Sequence, residues 1–455
     1  MSDRYFLRCE FFGGYLFHRD SLESWIINKD TMLFAVLWLE TKNMNLAVSV
    51  TNKVFSKAHI DFNVLSFLEN CISNERITAN DFDGLVSSSK HLMVKLSNRE
   101  YLSFPFNVEL YPTFQCLAKC KFCFLVDKSS RISLSNTSES MNLLDWKRLV
   151  SESSNNGASS IAVLGGDPVL YKDIESLLEH IESVNISTVL TTVGQSLQPS
   201  VEELLLKSKC VQTCFSIQAL NEKNIYLMNV PHEKTVETIR GFSRNRGDCG
   251  LNTVLTIQTY DDIKEIIDFC FAYGVETYSV SICFPKKNEE LITYKLSDIR
   301  VLSERIQEYI DSKTTSSNIL EFNIEGCMLF SSYHDIAYNY SLASNFQAGV
   351  EYELIKHGCA CGNGNVSIDC LGFVYPCCVY MNTDKRELLS QCGNLKSLWD
   401  TSPILEQFRN YKRISVLECT GCNFNTFCKG GCPYLIEKDD RIIGIHREQR
   451  CEVVF

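Results

Sequence analysis

Short apolar runs recur along the middle of the chain, and stretches with the hydrophobic spacing of helices separate them. The runs are Asn107–Tyr111, Ser160–Leu164, Ser187–Thr192, Val211–Ile217, Leu251–Ile257 and Thr277–Cys283. Helical spacing lies between them, for example over Leu143–Glu152, Val236–Arg244 and Ile263–Ala272. Six strand–helix units predict an α/β domain with a parallel sheet over residues 105–310, as a partial barrel or an open doubly wound sheet. The functional residues of such sheets lie at the carboxyl ends of the strands.

A different pattern occupies residues 1–95. Two extended runs flank the dipeptide Gly13-Gly14, which predicts a hairpin, and a third short strand is expected at Trp25–Asn28. Asp30 is the candidate N-cap of a first helix, and a second helix is predicted to begin near Asp61. Strands followed by small helices indicate a compact α+β domain of winged-helix type.

The last third of the chain has little periodicity. Residues 311–350 are irregular in pattern and are expected to bridge to a final domain, residues 351–455, which is rich in Cys and Gly. This composition is typical of a small domain that folds around inorganic groups rather than around a large apolar core.

Composition narrows the possible classes of function. The 455 residues carry a formal net charge of −11. An acidic chain lacks the basic surface that phosphate backbones require, so nucleic acid is not an expected partner. The chain has no apolar run of about 18 residues, and its N-terminus, MSDRYFLRCEFF, has no hydrophobic signal core, so neither a membrane span nor secretion is expected. We therefore expect a cytoplasmic protein without a membrane partner.

The cysteine content is unusual, at 22 residues, and most of the cysteines fall into short-spaced groups near aromatic and glycine residues. In a small secreted domain such a content would indicate disulfides. In a large chain without a secretion signal, these groups indicate metal or cluster ligands.

The first cysteine group directly follows the first predicted strand of residues 105–310. Cys116, Cys120 and Cys123 lie on one short loop, and three thiolates can ligate three irons of a [4Fe–4S] cluster. A structural zinc site, the alternative, normally has four protein ligands. The spacing, with the aromatic residue Phe122 just before the last cysteine, resembles the signature of the radical S-adenosylmethionine (SAM) superfamily.

In that family the open fourth iron binds the amino and carboxyl groups of SAM, and one electron splits SAM into methionine and a 5′-deoxyadenosyl radical. The resemblance implies that Cys116, Cys120 and Cys123 are the catalytic cluster ligands. It implies SAM contacts for Phe122, Gly165, Gly166, Asp167, Pro168, Thr192 and Ser216. Relatives commonly carry Gly-Gly-Glu-Pro where this chain has Gly165–Pro168, so Asp167 is a shorter acid. For Thr192 and Ser216, a plain strand end is the alternative.

The second cysteine group has a more specific spacing. It comprises Cys361, Gly372 and Cys377, then Cys419, Cys422, Cys428 and Cys432, and finally Cys451. Together with the segments CGNG, GFVYPC, GNLKSLW and FCKGGCP, this order resembles the SPASM domain, an iron–sulfur domain that adds two auxiliary [4Fe–4S] clusters to a radical SAM core. The alternative is a pair of zinc knuckles. The resemblance covers roughly residues 105–455 and implies a partial (β/α)6 barrel.

The resemblance also implies which cysteines share a cluster. One auxiliary cluster would use Cys361, Cys377 and Cys432, with Cys359 as its candidate fourth ligand and Cys327 as the second candidate. The other would use Cys419, Cys422, Cys428 and Cys451. Cys378 stands where sulfatase-maturating relatives carry an Asp that acts as a base, so it is expected to be a buried bystander or a substrate-facing thiol.

Many SPASM enzymes act on ribosomally made precursor peptides, and several bind the peptide leader with an N-terminal winged-helix module like the one expected at residues 1–95. We therefore expect a radical SAM peptide maturase that closes a thioether, carbon–carbon or ether cross-link. Its cofactors would be SAM and three [4Fe–4S] clusters, and its reductant a flavodoxin or ferredoxin. Oxidation of the sulfatase-maturating type and peptide epimerisation are the alternatives within this class. A non-catalytic iron–sulfur redox or binding protein is the alternative from another class.

Overall fold

The protein is described by a computed structural model that covers residues 5–18, 24–79, 81–99, 101–125, 140–245, 249–283, 291, 296–315, 319–325, 361–381, 383–410 and 434. These residues contain one sheet of four strands near the N-terminus and one sheet of ten strands that forms the body of the molecule. Among the helices described in these ranges, none is long and apolar enough to span a membrane.

The N-terminal unit, residues 5–99, is an α+β sandwich. Its strands are β1 (Tyr5–Glu10), β2 (Gly13–His18), β3 (Ser24–Ile27) and β4 (Cys71–Ser73), and its helices are α1 (Lys29–Thr41), α2 (Met44–Phe55), α3 (Leu65–Leu68) and α4 (Phe82–Ser97). The strand order is β3-β2-β1-β4, with β1 and β2 forming the predicted antiparallel hairpin. Gly13 is required at the turn, because its φ is +148° and an added Cβ would lie 2.2 Å from the Ile27 carbonyl oxygen.

The first helix begins differently from the prediction. Asn28 is its N-cap and accepts a hydrogen bond from the Thr31 amide at 2.7 Å, so the assignment of Asp30 as the cap was wrong. Asp30 lies in the first turn and accepts a hydrogen bond from the His59 amide at 2.7 Å. Asp61 caps a single 3-10 turn that leads into α3, while α2 and α4 were not predicted.

The ten-stranded sheet contains all six predicted strands. Its strands are β5 (Asn107–Tyr111), β6 (Ser160–Val163), β7 (Thr188–Thr192), β8 (Val211–Ser216), β9 (Cys249–Leu255), β10 (Thr277–Ile282), β11 (Glu321–Glu325), β12 (Asn365–Asp369), β13 (Phe373–Tyr375) and β14 (Glu387–Leu388). The order is β11-β10-β9-β8-β7-β6-β5-β12-β13-β14, and the pairs from β11 to β12 are parallel. The sheet is open, as a partial barrel requires.

Helices follow most strands of this sheet. They are α5 (Leu143–Asn155), α6 (Ile174–Val184), α7 (Pro199–Lys207), α8 (Glu222–Met228), α9 (His232–Asn245), α10 (Tyr260–Tyr273), α11 (Leu296–Lys313), α12 (Leu389–Cys392), α13 (Leu395–Thr401) and α14 (Pro403–Arg409). Two further 3-10 turns cover Pro168–Leu170 and Cys378–Tyr380. Buried strand residues such as Val108 and Leu110 alternate with half-buried ones such as Glu109, so one face of the sheet packs on the helices and the other is more polar.

Two strands outside the six predicted units extend the parallel sheet. β11 lies within residues 311–350, which were expected only to bridge to the final domain. It pairs in parallel with β10. β12, from the Cys-rich region, pairs in parallel with β5, where Asn365 lies opposite Asn107 and Asp369 opposite Tyr111. The described part of the C-terminal region therefore continues the body of the sheet.

Candidate active site

The cysteine loop, Cys116–Cys123, directly follows β5 at its carboxyl end and is fixed by main-chain hydrogen bonds to another element. The amide of Lys119 donates to the Met228 carbonyl and the amide of Lys121 to the Leu227 carbonyl, both at 2.8 Å. These carbonyls belong to the last turn of α8, whose final carbonyls have no partner within the helix. The end of one helix therefore positions the loop.

Apolar side chains also hold the cysteine loop in place. A small apolar cluster contains Ala118, Val193, Leu227, Met228, Val230 and Leu291. Phe122 packs half-buried against this cluster, together with Cys116 and Cys120, and Cys123 is also half-buried. Ala118 and Phe122 of the loop thus face the protein, while its three thiols keep partial access to solvent.

The glycine turn, Gly165–Pro168, follows β6 and lies against the segment that leads into the cysteine loop. The amide of Gly166 donates to the Thr113 carbonyl at 2.9 Å, and the amide of Asp167 donates to the Gln115 carbonyl at 2.6 Å. The structure therefore brings two of the predicted site segments into direct backbone contact, although their sequences lie about fifty residues apart.

Replacing Gly166 with alanine is expected to displace this backbone. The new Cβ would lie 2.1 Å from the Gln115 carbonyl oxygen and 2.5 Å from that of Phe114, so one of the two segments must move. Since a displacement of about 1 Å at a reacting centre can cost on the order of 100-fold in rate, we expect a loss of that size in SAM cleavage, measured as 5′-deoxyadenosine release.

Gly241 provides the matched control, because the nearest atom to an added Cβ there is a Glu202 carboxylate oxygen at 3.8 Å. It lies within α9, where alanine is a better helix former than glycine. A Gly166→Ala enzyme as active as the Gly241→Ala enzyme would show that the glycine turn does not position the cysteine loop.

Asp167 supplies the acid of the glycine turn and is fully buried. Its Oδ1 accepts a hydrogen bond from the Thr192 hydroxyl at 2.7 Å, and the Thr192 oxygen in turn accepts from the Gly194 amide at 3.1 Å. Its Oδ2 is buried and has no hydrogen-bond partner. Burial raises the pKa of the Asp167 carboxyl. A buried acceptor without a partner is rare and fits a donor supplied by a ligand, such as the ammonium group of SAM.

The remaining predicted SAM contacts lie at the same edge of the sheet. Thr192 ends β7 and is buried, and Ser216 ends β8 and is half-buried, in register with Asn252 of β9. Pro168 is buried at the start of the 3-10 turn. Because neighbouring parallel strands end at the same edge of the sheet, these residues lie on the edge that carries the cysteine loop. Of Thr192, Ser216 and Pro168, Thr192 is hydrogen-bonded to the glycine turn, through the Asp167 carboxylate.

The cysteine loop offers three thiols, each of which would bind a different iron of a [4Fe–4S] cluster. In the part of the chain that the structure describes, no three His, Cys, Asp or Glu side chains are grouped so that they could hold a metal ion. The chemistry of the loop nevertheless fits an iron–sulfur cluster with one open iron, because three half-buried thiols lie on one anchored loop beside an unpartnered buried carboxylate oxygen.

Two of the predicted auxiliary ligands lie in described parts of the chain. Cys361 is buried and Cys377 is half-buried, and the amide of Gly362 donates to the Pro376 carbonyl at 2.9 Å, so the residues next to the two cysteines are hydrogen-bonded. The other predicted ligands lie outside the described residues: Cys327, Cys359, Cys419, Cys422, Cys428, Cys432 and Cys451.

A carboxyl group next to this pair, on the half-buried Glu109, was not predicted. Glu109 of β5 accepts hydrogen bonds from Asn365 at 3.0 Å and from Ser367, both on β12, and from the Tyr111 hydroxyl at 3.3 Å. Burial raises its pKa to about 7, and Cys377 nearby adds to this effect. The sequence did carry a signal, since polar residues alternate with apolar ones along β5.

Cys378 lies beside the same group. Its sulfur is 4.0 Å from that of Cys377, and the residue is half-buried. The contact with the Cys377 thiol, followed by burial, raises the pKa of Cys378. The position therefore resembles the predicted buried bystander more than an exposed, reactive thiol.

The fold and the arranged loop define a class. Residues 110–290 match the model of the Radical SAM superfamily, and this part of the chain is a radical SAM domain. The match includes the cysteine loop, the glycine turn and the ends of β7 and β8.

Solved structures extend this likeness to the whole chain. Streptococcus suis SuiB, also solved bound to S-adenosylmethionine and bound to its precursor peptide SuiA, matches with a TM-score of 0.79 and 26% identity, covering 100% of this chain and at least 99% of SuiB. Native anSMEcpe with bound AdoMet matches with a TM-score of 0.55 and 19% identity, over 76% of this chain and 93% of that one, which shows the fold alone.

Curated relatives are more distant in sequence. The PqqA peptide cyclase of Bradyrhizobium diazoefficiens is 22% identical over 346 residues, which are 74% of this chain and 83% of the cyclase. The AdoMet-dependent heme synthase of Nitratidesulfovibrio vulgaris is 22% identical over 289 residues, which are 61% of this chain and 74% of the synthase.

Proposed function

We propose that this protein is an oxidoreductase that uses SAM to modify a ribosomally made precursor peptide, closing an intramolecular thioether, carbon–carbon or ether cross-link. The observation that carries the proposal is the likeness to SuiB over the full chain, including the N-terminal unit, since one of the matching SuiB structures is bound to precursor peptide SuiA. The peptide cyclase among the curated relatives supports the same substrate class.

The cysteine loop, Asp167, Thr192 and the glycine turn would each have a separate role in binding the cluster and SAM. A [4Fe–4S] cluster on Cys116, Cys120 and Cys123 would supply the electron that cleaves SAM. The Oδ2 of Asp167 would accept from the ammonium of SAM, while Thr192 holds the other carboxylate oxygen and so fixes its orientation. The absence of a Cβ at Gly165 and Gly166 lets the backbone approach residues 113–115, which lead into the cysteine loop.

The substrate would lie on the polar face of the ten-stranded sheet. Half-buried polar side chains recur there on neighbouring strands, and Asn252 of β9 donates to Ser279 at 2.9 Å and to Ser281 at 2.7 Å on β10. Such side chains offer hydrogen bonds to a peptide, while the helices on the opposite face exclude water from the core.

The N-terminal unit would recognise the leader of the precursor. Its sheet has β3 at one end of the order, and β3 pairs only with β2 within the described residues. An extended peptide can add to such an edge as a further strand through main-chain hydrogen bonds. Two auxiliary [4Fe–4S] clusters in the C-terminal region would accept the electron left after cross-linking, with a flavodoxin or ferredoxin as the reductant of the first cluster.

Anaerobic incubation with SAM, a reductant and a peptide encoded beside the gene tests the proposal. We expect release of 5′-deoxyadenosine and the loss of two hydrogen atoms from the peptide for each cross-link, measured by mass spectrometry. The same peptide without its leader is expected to react far more slowly. A modified peptide of unchanged mass would instead indicate epimerisation, and cluster-loaded protein that releases no 5′-deoxyadenosine would favour a non-catalytic redox protein.

A further inference from the structure

Arg409 is bound to the backbone beside the two described auxiliary cysteines. It is the last residue of α14, and its Nε donates to the Gly362 carbonyl at 3.1 Å. Gly362 follows Cys361, and its own amide donates to the carbonyl of Pro376, the residue before Cys377. One guanidinium therefore lies against the main chain that connects the two cysteines.

Two aromatic rings hold this guanidinium in place. The Arg409 Cζ lies 3.9 Å from the centre of the Tyr101 ring and 4.2 Å from that of the Trp399 ring. The rings are themselves fixed, because the Trp399 indole donates to the Leu102 carbonyl at 2.7 Å and the Tyr101 hydroxyl donates to the Asp400 carbonyl at 3.3 Å. The side chain therefore has little freedom to move its charge away from the cysteines.

The charge is not neutralised by a direct partner. In the described parts of the chain Arg409 forms no ion pair, and its Nη2 is buried without a hydrogen-bond partner. Asp400 is nearby but pairs with Lys396 and lies 3.7 Å from Arg99. Burial lowers the pKa of Arg409 to about 10, so the guanidinium remains protonated at neutral pH.

We propose that Arg409 raises the reduction potential of the auxiliary cluster held by Cys361 and Cys377, and so makes this cluster the electron acceptor of the reaction. The inference rests on the proposed function. Reduction adds negative charge to a cluster that is already anionic, and a fixed cation stabilises the reduced form.

The balance of electrons in the proposed reaction explains why the reduction potential of this auxiliary cluster matters. One hydrogen atom passes from the peptide to the 5′-deoxyadenosyl radical, and the peptide radical then forms the new bond. The resulting radical adduct loses one proton to solvent or a nearby base and one electron to the oxidised auxiliary cluster, which is reduced by that electron. A higher potential at this cluster favours the last step.

Arg409→Gln tests the inference, because it removes the charge and keeps an N–H donor for Gly362. In a full-length Cys116→Ala background, which removes the first cluster, redox titration followed by electron paramagnetic resonance reports the auxiliary clusters alone. We expect one midpoint potential to fall so that the oxidised-to-reduced ratio at a fixed ambient potential rises about tenfold, equivalent to ~59 mV for a one-electron couple. Arg409→Lys, which keeps the charge, is expected to restore most of the potential.

Lys385→Gln is the matched control, since it removes an exposed cation that binds Gln407 in the same region and is screened by water. Equal midpoints in Arg409→Gln and Lys385→Gln, with full iron content, would overturn the inference and leave the proposed function standing. Protein that carries no auxiliary cluster at all would overturn the auxiliary part of the proposed function itself. If Arg409→Gln does not retain iron, Arg409→Met in the same background decides: a lowered midpoint supports the inference, and an unchanged one rejects it.

Discussion

Replacing Cys116 with alanine is expected to abolish the release of 5′-deoxyadenosine while the C-terminal cysteines keep their iron. Each thiol of the cysteine loop would hold one iron, and the loop offers no fourth cysteine to replace a missing one. The loop follows the carboxyl end of β5, whereas Cys361 precedes the amino end of β12 and Cys377 follows β13. Iron content per chain and 5′-deoxyadenosine release, both measured anaerobically, distinguish loss of one cluster from loss of the fold.

Cys210 offers a control for this experiment. It is half-buried, its sulfur lies 3.2 Å from a Glu182 oxygen, and it is remote from the cysteine loop, so Cys210→Ala is expected to keep both iron and activity. Unaltered SAM cleavage in the Cys116→Ala enzyme would contradict the assignment of the loop. Zinc in place of iron in oxygen-protected wild-type protein would contradict it as well.

The sequence predicted the strands of the radical SAM domain closely, and it did so for a physical reason. Strands buried on a helix-covered sheet need continuous or alternating apolar residues, and β5 has the bounds that the pattern predicted. β11 and β12 escaped prediction although each has five residues, as β5 does. β12 gains its place in the sheet from pairing with β5, which lies far away in the sequence, and such pairing leaves no local pattern.

The candidate site likewise contains residues that the sequence predicts and residues that it does not. The cysteine loop and the glycine turn are local patterns whose spacing carries chemical meaning, so the sequence alone is enough to predict them. Glu109 and Arg409 act through contacts across long sequence separations, with Ser367 of β12 and with Gly362, respectively. The alternation along β5 gives Glu109 a polar position, but the contacts of the two residues leave no local pattern, so only the folded chain shows what they touch.

The cap of α1 illustrates a smaller failure with a similar cause. Asn28 and Asp30 are both good capping residues in isolation. Asn28 takes the role because its backbone is extended, whereas the Asp30 carboxylate binds the amide of His59, which is distant in sequence. Tertiary contacts therefore decided between two local alternatives of similar energy.

The N-terminal unit is joined to the radical SAM domain by a buried ion pair that the sequence did not reveal. Arg8 and Glu10 of β1 are fully buried, and the Arg8 Nε donates to the Glu10 carboxylate at 2.5 Å. Arg8 also donates to the carbonyls of Phe104, Pro105 and Gly157. These hydrogen bonds hold the segment that leads into β5 and therefore connect the N-terminal sheet to the strand that carries the cysteine loop.

Glu10 and the Phe106 ring also contribute to this junction, the contact between β1 and the segment that leads into β5. The amide and the hydroxyl of Ser103 each donate to the Glu10 carboxylate at 2.8 Å, and the Arg8 guanidinium lies 4.3 Å from the centre of the Phe106 ring. Every strong polar group of the pair is therefore satisfied by the partner residue or by the backbone of the adjoining domain. Removing one member would leave the other charged and buried.

Replacing Arg8 with methionine is accordingly expected to destabilise the protein by about 3–5 kcal/mol, the range found when one partner of a buried ion pair is removed. The double variant Arg8→Met/Glu10→Gln should lose less, since no unpaired charge remains. Urea unfolding of the cluster-loaded protein, followed by tryptophan fluorescence, gives the change from the shift in midpoint at constant slope. Lys207→Met, which breaks the exposed pair with Glu203, should cost less than about 1 kcal/mol. If Arg8→Met were as mild as Lys207→Met, the junction would not depend on this pair.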